Sequence, residues 1–169
     1  MKPPKNAYGE YFGRYIDLVK SENLFAELEE SLVQIDSFWS SLSEEKSNFR
    51  YSEGKWSIKE LLQHIMDTER IFNYRALSIA RGEKTALLGY DHDEYAMSSK
   101  ADSRNWNDML EEYKIIRKST LLLFKGFDND QLDLIGTANG LPLSARAVGF
   151  ICVGHEMHHL SVVKERYLT

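Results

Sequence analysis

Five histidines carry the chemistry that this sequence offers: His64, His92, His155, His158 and His159. Two of them, His155 and His159, are four residues apart. At ~100° per residue their side chains leave a helix within about 40° of each other. Val148, Ile151, Cys152 and Val162 point the same way, so two imidazoles stand in an otherwise apolar stripe. Burying a polar ring costs a few kcal/mol (~2–3) unless its nitrogens find partners. One shared divalent transition-metal ion satisfies both rings, and the i, i+4 spacing suits it. A lone core histidine is more often simply hydrogen-bonded; a pair on one buried face, with a third donor elsewhere, shifts the balance toward ligation. His64 is that third donor. It flanks the apolar stripe of another helix, one turn from Leu61 and Thr68.

The remaining candidates rank lower. His158 projects ~80–100° away from its neighbours, at the edge of a bundle or behind the ligands. His92, within Tyr90-Asp91-His92-Asp93-Glu94-Tyr95, is either a solvated turn residue, the plainer reading, or part of a lid. Cys152 reads as a core thiol one turn before His155. His155-Glu156-Met157-His158-His159 also fits H-E-x-x-H, in which a glutamate is general base for a zinc protease. The match is discounted, because that class takes its third ligand downstream and Leu160-Ser161-Val162 lacks the continuation of the extended form. Glu156 leaves the helix ~100° from His155, which predicts an exposed, salt-bridging side chain. Asp67, Glu69, Glu156 and Glu112 remain candidates to orient rings or move protons.

The elements that must position these residues are helical. Leu24, Leu28, Leu32, Ile35, Trp39 and Leu42 recur at threes and fours; so do Ile58, Leu61, Ile65, Phe72, Ala76 and Ile79. Trp106, Met109, Leu110, Tyr113, Ile116, Thr120 and Phe124 form a third stripe, and Val148 to Val163 a fourth. Tyr11 to Val19 reads as a shorter leading helix, and no alternating strand stands out. Ser57 with Glu60 is a capping box, Ser144 after Pro142 caps the last helix, and Gly82 closes the second.

A long connector, Arg81 to Arg104, separates the second and third stripes. Its ~20 extended residues reach ~65 Å, more than the ~36 Å of the preceding helix, so it can return the chain to its starting end. That predicts an all-α four-helix bundle of up-down-down-up order in a single domain, residues 1–169. His64 is about eight residues from the start of its helix, and His159 and His155 are about eight and twelve from the end of theirs. Antiparallel packing, which this order provides, brings all three to one height.

Composition narrows the partners. The formal charge is −5, with no basic stripe, which disfavours nucleic acid and leaves a small molecule as the default. One cysteine forbids an internal disulfide and fits a reducing cytoplasm. Met1 to Tyr8 has no apolar signal core, and no stretch approaches ~18 apolar residues, so the expectation is a cytoplasmic protein off the membrane.

Lys55 to His64 followed by Asp67-Thr68-Glu69-Arg70, and Gly154 to Leu160 with Lys164-Glu165-Arg166-Tyr167, resemble the second and last helices of the DinB/YfiT-like superfamily. Tyr74-Arg75-Ala76, the Gly89–Tyr95 connector and Arg117 are similar too. The resemblance implies an up-down-down-up bundle, often dimeric, that binds zinc, nickel or another divalent ion through positions matching His64, His155 and His159. It also implies either transfer of a low-molecular-weight thiol or hydrolysis. Three neutral imidazoles leave the ion an open position, at which water or a thiol becomes a nucleophile. Through the resemblance, thiol transfer to a small-molecule electrophile is slightly favoured. The alternative is a non-catalytic or stress-response bundle with a structural metal. Because imidazoles must be neutral to ligate, affinity is expected to fall below pH ~6.

Overall fold

A computed structural model describes residues 1–168, except the side chains of Gln34, Ile35 and Asp36; the expected place of Ile35 in the first stripe therefore falls outside the described residues. The helices are α1 (Gly13–Ile16), α2 (Leu24–Ser40), α3 (Glu44–Ser47), α4 (Ile58–Ala80), α5 (His92–Ser98), α6 (Trp106–Lys125), α7 (Asn129–Asp133) and α8 (Ala145–Arg166). The four long ones, α2, α4, α6 and α8, are the four periodic stripes of the sequence, and they pack on one another as a bundle. Each starts at a polar cap. Asn23, Ser57, Asn105 and Ser144 accept a backbone N–H from the first turn, and Ser57 with Glu60 completes the capping box.

The order of contacts follows the chain. Lys59 Nζ donates to the Arg104 carbonyl at 2.7 Å, just before α6, while Glu69 and Asn73, further along α4, meet Arg117 and Thr120, further along α6. Against α8 the order reverses. Tyr167 Oη donates to the Trp56 carbonyl at 2.8 Å, so the end of α8 lies beside the start of α4.

Two expectations need correction. A two-stranded antiparallel hairpin, β1 (Ile135–Ala138) and β2 (Leu141–Ser144), precedes α8. Its turn is Asn139-Gly140, both at positive φ (50° and 73°), the pairing that a tight hairpin turn needs. That dipeptide was a usable signal; strands of four residues are too short for alternation to show. The leading helix shrinks to Gly13–Ile16 after a 3₁₀ turn at Glu10–Phe12, because this segment is held by packing against α8 rather than by its own length.

The connector is anchored rather than loose. Leu87 N–H donates to Thr137 O and Asn139 N–H to Leu87 O, both at 2.8 Å, which ties it to the hairpin. A Cβ on Gly89 would lie 2.3 Å from Asn139 Oδ1, so a larger residue here would have to displace the Asn139 side chain.

The apolar core comes in two parts. One gathers Leu28, Phe72, Phe124 and Phe150; the other gathers Trp39, Leu62, Trp106 and Tyr113. Between them lies a polar layer. On α4 it falls between Met66 and Phe72, on α6 between Ile116 and Phe124, and on α8 between Val153 and Val163. His155, His159 and the buried Arg117 occupy that layer, and His64 borders it on α4.

Candidate metal centre

The three histidine rings converge. His64 Nε2 lies 3.1 Å from His155 Nε2, which lies 3.0 Å from His159 Nε2, and the donor atoms of all three are within 4.8 Å of one another. His64 and His155 are buried, and His159 partly so. Nitrogens sharing one ion at ~2.1 Å in tetrahedral array stand ~3.4 Å apart, close to these spacings. Without an ion the arrangement is poor. A neutral imidazole nitrogen has either one proton or one lone pair, and His155 Nε2 faces two neighbours at once. The donor set, its spacing and its unmet bonding capacity all fit a divalent transition metal.

Ring packing holds this geometry. His64 stacks beside Trp56 (centroids 4.9 Å apart), and the edge of Tyr15 meets His155 at 5.2 Å. Tyr15 gets there because α8 carries Gly154, where a Cβ would come within 1.9 Å of the Tyr15 carbonyl oxygen. Burial lowers the histidine pKa values. His64 is pushed down to about 4, with a smaller contribution from His92, and His159 to about 2, with further contributions from His64 and His158. His155 is held well below its usual value by burial and then by His159 and His64. The rings are therefore neutral, ligand-competent bases well below the pH of ~6 that free imidazoles would set.

The other candidates are distributed as follows. His158 is half-buried with its ring 5.6 Å from Tyr15, at the bundle edge as its angle predicts. His92 opens α5 and is largely exposed, yet its ring centroid lies 5.8 Å from that of His64. Cys152 is buried, and burial pushes its thiol far above the usual range, so it stays protonated and unreactive.

None of the four carboxylates has a hydrogen bond to a histidine ring among the described residues. Asp67 accepts from Gln63, and Glu112 pairs with Arg70 and Arg104. Glu69 and Glu156 flank Arg117, itself completely buried. Arg117 Nε and Nη2 donate to the two Glu69 oxygens at 2.9 Å, and Nη1 lies 2.9 Å from Glu156 Oε2. Tyr113 Oη donates to Glu156, and Thr120 and Ser31 complete the cluster. Glu156 is thus fully buried, against the expectation of an exposed side chain. The reason is that its side of α8 faces Tyr113 and Arg117 of α6, which cover it.

A cavity of about 360 Å³ opens onto the histidines. Its walls come from the Tyr11–Tyr15 segment, Gly89, Tyr90 and His92 of the connector, and the His64, Thr68, Phe72 and Arg75 face of α4. Spacing arguments centred on histidine do not reach Tyr15 or Tyr90. Arg75 had a signal, because it continues the His64 face at i+11. Tyr15 had none, being 140 positions from the ring it braces.

Known proteins agree with this architecture. YfiT from Bacillus subtilis superposes with a TM-score of 0.68 over 98% of this chain and 90% of its own, at 15% identity. That protein is described as a probable metal-dependent hydrolase with an unusual four-helix bundle topology. No curated protein matches the sequence. The model of the DinB superfamily matches residues 27–163, which spans α4, α6 and most of α2 and α8, and the chain belongs to that superfamily.

Proposed function

We propose that the protein is a metal-dependent enzyme in which His64, His155 and His159 hold one divalent transition-metal ion, zinc or nickel, beside a cavity for a small-molecule substrate. The carrying observation is the convergence of three Nε2 atoms, 3.0–3.1 Å apart in the two closest pairs, on a point that the cavity reaches. A divalent ion held there supplies Lewis acidity, enough to make a nucleophile of water or of a thiol at neutral pH.

The chain's own residues do the rest. Burial keeps the imidazoles neutral and able to ligate. Tyr15 and Trp56 fix two ring planes. The paired hydroxyls of Thr68 and Tyr90, 2.8 Å apart on the cavity wall, offer a donor to a substrate. The apolar parts of Phe12 and Phe72 limit the water that can enter. Hydrolysis and transfer of a low-molecular-weight thiol both use this arrangement. The description of YfiT favours the first, and the family resemblance keeps the second.

A purely structural metal would be a closed four-ligand site. Three histidines with a cavity at the open side favour the enzyme. The same reading takes the chain as one domain in up-down-down-up order, supported by the like-with-like contacts of α4 with α6 and the reversed ones of α4 with α8. Homodimerisation belongs to it through the family resemblance and a cytoplasmic setting through the single cysteine; among the described residues no helix is long and apolar enough to cross a membrane.

Elemental analysis of wild type and His159→Ala, followed by ester-hydrolysis and thiol-conjugation assays with a generic electrophile, tests the proposal. Near-stoichiometric metal in the wild type, lost in the variant together with one of the two activities, is expected. Full metal retention in the variant would remove this ligand set.

A further inference from the structure

Arg75 is a buried cation without an anion. Only 5% of its surface is exposed, and no carboxylate pairs with it among the described residues. Among the described residues its one hydrogen-bond acceptor is the Leu88 carbonyl, 2.8 Å from Nη2. The guanidinium lies 5.6 Å from the Phe72 ring centroid and 5.9 Å from that of Tyr90, and it lines the same cavity as the three histidines. Buried Arg117 makes the contrast plain, since two carboxylates enclose it. A guanidinium has five N–H donors in a planar fork, and with one acceptor among the described residues the rest stay open to an acceptor in the cavity that Arg75 lines.

The cavity as a whole has the same bias. The chain has 26 acidic residues and a net charge of −5, yet no aspartate or glutamate lines this cavity. Its charged wall residues are two arginines, Arg14 and Arg75. His64, Thr68, Phe72 and Arg75 succeed one another at four, four and three residues on one face of α4, so Arg75 is ~16 Å along the helix from His64. Between the two lie the Phe72 ring and the Thr68–Tyr90 hydroxyl pair.

We propose that the substrate carries an oxyanion, a carboxylate or a phosphate, on an apolar body, and that Arg75 binds this group while the remainder of the molecule extends toward the histidines. The inference rests on the proposed function only in calling the ligand a substrate; anion binding at Arg75 requires no metal. Arg75 is thus a specificity determinant distinct from the metal ligands. Neutral compounds of the same shape are poor ligands because nothing else answers its charge.

The test is calorimetric titration of the full-length protein, as purified and after chelation, with 3-phenylpropanoate, phenyl phosphate and the neutral 3-phenylpropanamide. At least one anion should bind about tenfold more tightly than the amide in the chelated protein, the size of one charge-assisted contact. Whichever of the two binds identifies the group. The preference should shrink to about twofold or less in Arg75→Gln and survive in part in Arg75→Lys, which keeps the charge and loses the fork. Should Arg75→Gln not fold, the Arg75 Nε–Hε resonance of the wild type must shift on adding the preferred anion and stay still with the amide. Equal binding of all three compounds, or a preference untouched by the Arg75 variants, overturns the inference. A preference that disappears on chelation also overturns it while leaving the metal reading intact. Anion selectivity in a protein that binds no metal would do the reverse.

Discussion

Two polar clusters share the middle layer of this bundle, and they are built on opposite terms. Around Arg117, charge meets charge: two carboxylates, a tyrosine, a threonine and a serine enclose one guanidinium in the core. Around His155, like meets like. Three neutral bases face one another with no acid among them, and a cavity opens beside them. The first cluster balances its charges within the protein, although Glu156 Oε2, 2.9 Å from Arg117 Nη1, accepts no well-directed hydrogen bond. The second is complete only with something added. Bases that face one another beside an open cavity, with no counter-charge, are a mark of function.

The sharpest way to break the comparison is to remove the centre of the satisfied cluster. Arg117→Met leaves Glu69 and Glu156 buried, close together and without their cation. The loss should be about 3–5 kcal/mol in urea unfolding, the range for breaking one side of a buried ion pair. A change under about 1 kcal/mol would mean that the cluster is less buried than its geometry indicates. His159→Leu provides the counterpart. It replaces a base facing other bases by an apolar group, so metal-free stability should change by no more than about 1 kcal/mol. Affinity for zinc should fall at least about 100-fold, or roughly 3 kcal/mol, in a chelator competition assay.

Acid should also separate the clusters. The histidines have folded-state pKa values below their unfolded ones, so the unfolded chain binds more protons as pH falls. Their contribution to stability is full above pH 6.5 and is lost between 6.5 and about 4 for His64, and further down for His159. Glu156 works the other way. Burial raises it to about 7 against the pull of Arg117, so between about 7 and 4.5 it favours the folded state as pH falls. Three groups oppose one, so the metal-free protein should lose stability as the pH falls from 6.5 to 4. Urea midpoints across that range check it. Glu156→Gln should steepen the decline, since it removes the opposing group. Because the folded histidines resist protonation, bound metal should persist to about the pH at which the fold fails, below the pH ~6 that unperturbed imidazoles would set.

Much of this contrast was legible in the sequence, and the illegible part has a common cause. The helix stripes, the Ser57–Glu60 box and the His155–His159 pair are local, and local spacing determines direction on a helix. His64 could be added because a height argument needs only helix lengths. The Arg117 cluster could not be assembled, since Ser31, Glu69, Arg117 and Glu156 lie on four different helices and no spacing relates them. Glu156 was misplaced because angle alone says where a side chain points, and not whether another helix covers that side. The Tyr15 wall of the cavity depends on Gly154 accepting a distant backbone carbonyl, which no local pattern records.

The smallest test examines the edge of the satisfied cluster. Tyr113 is buried, and its hydroxyl donates to Glu156, one residue from His155 on α8. Tyr113→Phe keeps the ring in the core beside Trp39 and Trp106 and removes only that donor. Arg117 still faces Glu156, so the cost should be about 1–2 kcal/mol, an ordinary charge-assisted hydrogen bond rather than the collapse expected of Arg117→Met. Since no hydrogen bond joins this cluster to the histidine rings, zinc affinity in Tyr113→Phe should stay within about threefold of wild type, under roughly 0.7 kcal/mol. A loss of tenfold or more would show that Glu156 transmits strain along α8 to His155, so that the two clusters operate as one device.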